Sequence, residues 1–277
     1  NSMKINKSLR EKLEKLRSEE ILENKEDIIP KLGELLINSV EKRIPKNKKV
    51  GIAFSGGVDS SLLAFICDKL DRDFTLYAVG FENAKDIESA QRVALDQKWK
   101  LKIKIIQLED CEEIFKKVIG ITDKHDVITA GVGSVTYSVL EIMKEDIILT
   151  GLGSEELYAG YERHKGDINK ACWEGLLGIY ERDILRDLPL VKHFGKEILL
   201  PFLDKDLIEY SMKISGDLKV GEYKKQILRE AAVALGMPKE IAFRKKLAAQ
   251  YGSKFDYAIE KLAKKKGLNK REYLASL

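Results

Sequence analysis

Val50-Gly-Ile-Ala-Phe54, then Ser55-Gly-Gly-Val-Asp-Ser-Ser61, then Leu62-Leu-Ala-Phe-Ile66: the fold is decided by this stretch. A short, nearly continuous apolar run closed by a glycine pair reads as a strand buried on both faces. The apolar run after the loop reads as a helix. Working outward, Phe74–Val79 predicts a second strand, Asp86–Gln97 a helix, Leu101–Ile106 a third strand, Val135–Met143 a helix and Asp146–Leu149 a fourth strand. This alternation predicts an α/β fold, a parallel twisted sheet with helices on both faces. Ahead of it, from Ser8 to Arg43, apolar residues recur at helical spacing and predict two helices broken near Pro30. Beyond Tyr161 the strand signals fade, and 170–185, 204–212, 224–235 and 254–264 carry helical spacing. The expected organisation is N-terminal helices over 1–45, an α/β core over 46–160, and a mainly helical part over 161–277 that completes the active site.

With 277 residues, 44% of them hydrophobic, the chain can fill a proper core. Lys plus Arg number 49 against 45 Asp plus Glu, a net charge of +4 that gives no general affinity for nucleic acid. The basic stretch Lys261 to Arg271 is a local exception. Cys67, Cys111 and Cys172 are far apart and have no zinc-ligand spacing, which points to a reducing compartment. There is no apolar run of membrane-spanning length and no signal-peptide core, so a cytoplasmic location without membrane contact is expected.

The 55–61 loop carries the chemistry. Its glycines allow a phosphate to approach the backbone, and the hydroxyls of Ser55, Ser60 and Ser61 can donate to phosphate oxygens at the start of a helix. An aspartate inside a phosphate loop is repelled by its ligand unless a cation lies between them, so Asp59 reads as a Mg²⁺ ligand. The loop is neither G-x-x-x-x-G-K-[ST] nor G-x-G-x-x-G, which argues against a Walker-type NTPase and a dinucleotide dehydrogenase. A second loop, Thr150-Gly-Leu-Gly-Ser-Glu155-Glu156-Leu-Tyr-Ala-Gly-Tyr161, sets two adjacent carboxylates just past a predicted strand, where they can hold a metal near the first loop.

The first loop resembles the S-G-G-x-D-S-[ST] signature of the ATP-pyrophosphatases (PP-loop enzymes), which split ATP into AMP and pyrophosphate. Further segments, in order over about residues 32 to 256, resemble the synthetase domain of the asparagine synthetase family. Thr150–Tyr161 is similar to S-G-E-G-x-D-E-x-F-G-G-Y, and Leu200-Pro-Phe-Leu-Asp204 to V-P-F-L-D. Lys224–Arg229 is similar to K-x-x-L-R, and Pro238–Lys246 to P-x-x-[IV]-x-x-R-x-K. The resemblance implies an adenine nucleotide α hydrolase-like fold and an AMP-forming ligase that adenylates a carboxylate, aspartate or a related acid, for amide formation. ATP would be the substrate nucleotide and Mg²⁺ the cofactor. By the same resemblance Phe54, Ser55, Gly56, Gly57, Asp59, Ser60, Ser61, Val79, Gly80 and Gly151 would bind ATP, with Phe54, Val79 and Gly151 around the adenine. Asp59 and Glu155 would bind the metal. Lys246 would neutralise charge on the acyl-adenylate and pyrophosphate, with Lys165 as a second pyrophosphate contact.

Four departures bear on function. Glu155 stands where the family has Asp, and Lys165 is one residue out of register. Leu152 stands where asparagine synthetases usually have a Glu facing the substrate. An apolar Leu152 cannot accept a proton, so another group does so or the acceptor is not aspartate. Lys4 follows Met3, where a glutaminase would show a nucleophilic Cys, so nitrogen is expected from ammonia, from a separate glutaminase subunit or from the substrate itself. Two competing readings keep the loop: a tRNA-modifying PP-loop enzyme, disfavoured by the absent C-x-x-C pair and the small net charge, and a catalytically impaired nucleotide-binding regulator.

Overall fold

The computed structural model describes residues 2–163, 166–245 and 247–277. Two helices precede the first strand, α1 (Ser2–Glu14) and α2 (Lys25–Glu41). Asn24 caps α2 by accepting the N–H of Glu26 at 3.1 Å. Ile28, Leu32, Leu36 and Val40, spaced every fourth residue, make its buried stripe. The expected break at Pro30 is not observed: Pro30 lies inside α2, and the break falls at 15–24. Near the helix start a proline forfeits one hydrogen bond, and the stripe that continues past it offsets that loss.

Next come β1 (Val50–Ala53), α3 (Val58–Lys69), β2 (Phe74–Gly80), α4 (Lys85–Gln97), β3 (Leu101–Ile105), α5 (Leu108–Thr122), α6 (Val127–Ile142) and β4 (Ile147–Leu149). They are followed by α7 (Ser154–Leu157), α8 (Ile168–Leu177), a π-helical turn (Tyr180–Ile184), α9 (Leu185–His193) and β5 (Glu197–Leu199). The chain ends in α10 (Lys205–Ser211), α11 (Gly216–Lys219), α12 (Gln226–Ala234), α13 (Lys239–Ala242), α14 (Ala249–Gly252), α15 (Phe255–Lys265) and α16 (Lys270–Ala275). Helix α6 starts well before the expected Val135. Asp126 caps it by accepting the N–H of Thr129 at 2.8 Å, and its first turns bury Ala130, Gly131, Gly133 and Ser134, small residues that leave little apolar signal.

The sheet order is β3-β2-β1-β4-β5, and every pair is parallel. Strands β1, β2 and β4 are buried on both faces, and their residues alternate between two cores. Ile52, Leu76, Ala78 and Leu149 face one core with α2, α3 and α4; Tyr77, Val79 and Ile148 face the other with α5, α6 and α15. Edge strand β3 instead carries Lys102 and Lys104, charges that guard an open edge against further pairing. Strand β5 corrects the expected organisation, because residues beyond 160 complete the sheet, pairing Ile147 with Glu197 and Leu149 with Leu199. Three residues that begin with a glutamate are too few to show a period. Asp204 ties α2 to this region. It caps α10 and pairs with Arg43 at 2.8 Å and Lys42 at 2.5 Å. Among the described residues no helix is long and apolar enough to cross a membrane.

Candidate active site

The chain runs outward from β1 to β3 and then crosses to the other side for β4 and β5. The carboxyl ends of β1 and β4 are therefore neighbours at the switch point of the sheet, where open α/β sheets form a crevice. The 54–61 loop leaves β1 there and the 150–161 loop leaves β4 there. At Gly56 φ is +71°, and an added Cβ would stand 2.8 Å from the backbone of Ser89 on α4. Glycine is thus required both by conformation and by space. Gly57 is the N-cap of α3 and supplies no side-chain acceptor, so the first N–H groups of this helix point into the crevice with the positive end of its dipole. Ser55 and Ser60 fold in on the loop: Ser55 Oγ accepts from Gly57 N–H at 3.4 Å, and Ser60 Oγ donates to the Gly57 carbonyl at 3.4 Å. Ser61 is fully buried, and its Oγ has no partner among the described residues.

Asp59, on the first turn of α3, is buried. It accepts from Ser154 Oγ at 2.6 Å through Oδ1 and from Lys225 Nζ at 2.7 Å through Oδ2. The same Lys225 Nζ lies 2.8 Å from Glu155 Oε1. One ammonium therefore joins the two carboxylates expected to hold the metal. Gly151 and Gly160 make room for this. A Cβ on Gly151 would stand 2.8 Å from Asp59 Cβ, and one on Gly160 would overlap Glu155 Oε2 and Lys225 Cε. Burial alone would push Lys225 down, but Asp59 and Glu155 outweigh it and hold its pKa above the ordinary lysine value. Burial pushes the neighbouring Arg229 down, with the same two carboxylates opposing.

These residues fit a magnesium ion. Their hard oxygen donors converge on a point that already carries a positive charge, and Mg²⁺ at nucleotide sites takes one or two carboxylates, leaving its other positions to phosphates and water. The longer arm of Glu155 does not carry its carboxylate out of reach of Asp59's partner. Among the described residues no group of three acidic, His or Cys side chains forms an all-protein cage.

Phe54 and Val79 are both buried, but in different cores on opposite faces of the sheet. A nucleotide at the strand ends would meet them through backbone, not through a shared pocket of side chains. Gly80 ends β2 beneath the 249–253 segment: Phe81 N–H donates to the Ser253 carbonyl at 3.2 Å, and a Cβ on Gly80 would be 3.1 Å from that oxygen. Leu152 is half-buried beside the crevice, between Gly151 and Gly153. Lys165 and Lys246 lie outside the described residues.

The sequence reading missed Lys225 as a site residue. The signal was the K-x-x-L-R stretch itself, whose Lys225 and Arg229 both reach the crevice. It also missed what Glu156 does. Glu156 is fully buried, pairs with Arg182 of the π-helical turn at 2.5 Å and leaves Oε2 without a partner among the described residues. Burial outweighs Arg182 and pushes its pKa up to about 7.

Residues 31–174 and 165–276 match the family model described as Asparagine synthase. Over 284 aligned residues the chain is 34% identical to the putative asparagine synthetase (glutamine-hydrolyzing) 1 of Methanocaldococcus jannaschii, covering 87% of this chain and 52% of that protein. It is 30% identical over 236 residues to the asparagine synthetase (glutamine-hydrolyzing) of Gallus gallus, covering 79% of this chain and 42% of that one. The chain thus spans about half the length of the curated relatives it matches. Among solved structures it is similar to NMN synthetase from Francisella tularensis, with a TM-score of 0.45, 15% identity and coverage of 91% of this chain and 84% of that one.

Proposed function

Because it belongs to the asparagine synthase family, we propose that this chain binds ATP and magnesium, adenylates a substrate carboxylate with loss of pyrophosphate, and passes the acyl group to an amine with loss of AMP. The observation that carries this reading is the convergence of Asp59 and Glu155 on Lys225 below the uncapped start of α3. The β- and γ-phosphates lie on the Gly56 and Gly57 backbone, where close approach is possible and the helix dipole favours negative charge. A carboxylate oxygen of the acceptor attacks the α-phosphorus, and the bond to the bridging oxygen of pyrophosphate breaks in line. Asp59 and Glu155 would hold the magnesium, which when bound would neutralise phosphate charge. Lys225, with Lys246 and Lys165 carried over from the family resemblance, supplies fixed positive charge to the departing pyrophosphate; such cations contribute several kcal/mol to phosphoryl transition states.

The amine then attacks the acyl carbon and AMP leaves. Leu152 takes no proton from it, so the acceptor is aspartate served by another base, or a related acid. The nitrogen reaches the acyl carbon as ammonia or as another amine. Cys67, Cys111 and Cys172 are all buried, and burial pushes Cys67 and Cys111 up to about 12. None of them is an exposed thiolate able to attack glutamine. The reading also places the protein in the cytoplasm, where ATP and reduced thiols coexist.

The test is pyrophosphate release from ATP and Mg²⁺ with aspartate and an ammonium salt, each omitted in turn, with products weighed by mass spectrometry. Asparagine plus AMP establishes the aspartate reaction. Release that depends on another acid keeps the adenylation and reassigns the acceptor; no release with any carboxylate refutes it.

A further inference from the structure

The turn through Lys225 and the stretch 242–245 are far apart in sequence, yet one side chain holds them together. Arg229, buried on α12, donates from Nε to the Lys224 carbonyl at 2.7 Å and from one terminal nitrogen to the carbonyls of Ala242 at 2.6 Å and Arg244 at 3.1 Å. Its guanidinium lies 5.8 Å from the centre of the Tyr223 ring, which packs edge-on against Phe243 with centroids 5.2 Å apart. Arg244 in turn donates to the Ser89 carbonyl at 3.1 Å. Ser89 is the residue whose backbone leaves no room for a Cβ on Gly56. Farther on, the same segment is seated at α14, where Gln250 fills the space beside Gly131 and Gly252 abuts Asp86.

We propose that Arg229 is a positioning residue that clamps the Lys225 turn to the 242–245 stretch, so that the two cationic segments meet the nucleotide as one rigid unit. A guanidinium suits this task because its planar fork satisfies three carbonyls from one buried position, whereas a lysine has a single nitrogen on a flexible stem. Three charge-assisted bonds to two chain segments fix their spacing, and displacements of about 1 Å in such positioning groups cost on the order of 100-fold in rate. The proposal rests on the pyrophosphate-forming reading for its catalytic consequence, but not for the clamp itself.

Arg229→Lys and Arg229→Gln test it in the full chain, with Tyr223→Leu as a milder variant that removes the ring under the guanidinium. Without nucleotide, trypsin cleavage after Arg244 and Lys245, mapped by mass, is expected to speed up roughly 10-fold or more in both Arg229 variants, with cleavage elsewhere unchanged. With substrates, kcat for pyrophosphate release is expected to fall on the order of 100-fold while KM for ATP moves less than about threefold, and Arg229→Lys does not rescue it. Unchanged cleavage in the Arg229 variants overturns the clamp whatever the turnover. So does cleavage that rises evenly over the whole chain with a lowered Tm, which would mean general destabilisation. If the unmodified protein releases no pyrophosphate, the proposed function fails while the proteolysis still decides the clamp.

Discussion

At Lys225 a non-glycine residue adopts φ +58° to deliver a buried ammonium between Asp59 and Glu155. Lys225→Met leaves two carboxylates facing each other without their cation. Pyrophosphate release is expected to drop at least about 100-fold, and unaltered turnover in a stopped-time assay would remove Lys225 from the site. Asp59→Ala takes away the carboxylate that Lys225 and Ser154 share, and nearly complete loss of pyrophosphate release is the expected result. Ala159 is a smaller matter of the same kind. It sits buried at φ +57°, where a Cβ is costly and the resembling motif has glycine. Ala159→Gly is expected to raise stability by about 1 kcal/mol, read as a higher urea midpoint at unchanged slope. At this scale the sequence was informative wherever a residue's chemistry is unusual for its place, as with Asp59 in a phosphate loop. It was silent on Lys225, because a lysine in a lysine-rich chain looks like a solvated one until the fold buries it.

The short helix α7 and the π-helical turn are joined by Glu156 and Arg182, and this pair should make stability depend on pH. Burial raises Glu156 from its ordinary 4.5 to about 7, so the folded state holds the proton more tightly than the unfolded chain does. The stability gained from keeping that proton is fully present below pH 4.5 and is lost as pH rises through 7. Glu156→Gln keeps the shape and cannot ionise. Relative to it, the unmodified protein is expected to weaken between pH 4.5 and 7 by at most about 3 kcal/mol, measured by urea unfolding across that range. A difference independent of pH would mean that Glu156 stays ionised in the fold. The Asp204 link between α10 and α2 has the opposite sign. Burial works against its charge, yet Lys42, Arg43 and the Leu207 N–H hold it below the ordinary aspartate range, so its stabilisation is lost as pH falls. Elements were legible where their period was long and apolar, as in α4 and α15. They were misread where local rules compete with packing: Pro30 inside α2, the small-residue start of α6, and the strand β5, too brief to announce itself.

For the molecule as a whole, the parallel sheet and its switch point follow from strand-helix alternation in the first half of the sequence, and the position of the site follows from the sheet. The expected boundary near residue 160 did not foresee that the sheet itself extends past it, because pairing of β4 with β5 is a long-range contact with no local trace. Expressed alone, residues 1–160 are expected to aggregate or stay partly unfolded, whereas residues 1–277 unfold in a single transition; a cooperative melt of the fragment would contradict this. That late strand also dictates an order of events on the ribosome. The open side of β4 emerges from the ribosome ahead of Glu197–Leu199, so until that later strand follows it out the nascent chain presents an unpaired hydrophobic strand, exposed to pairing with another chain.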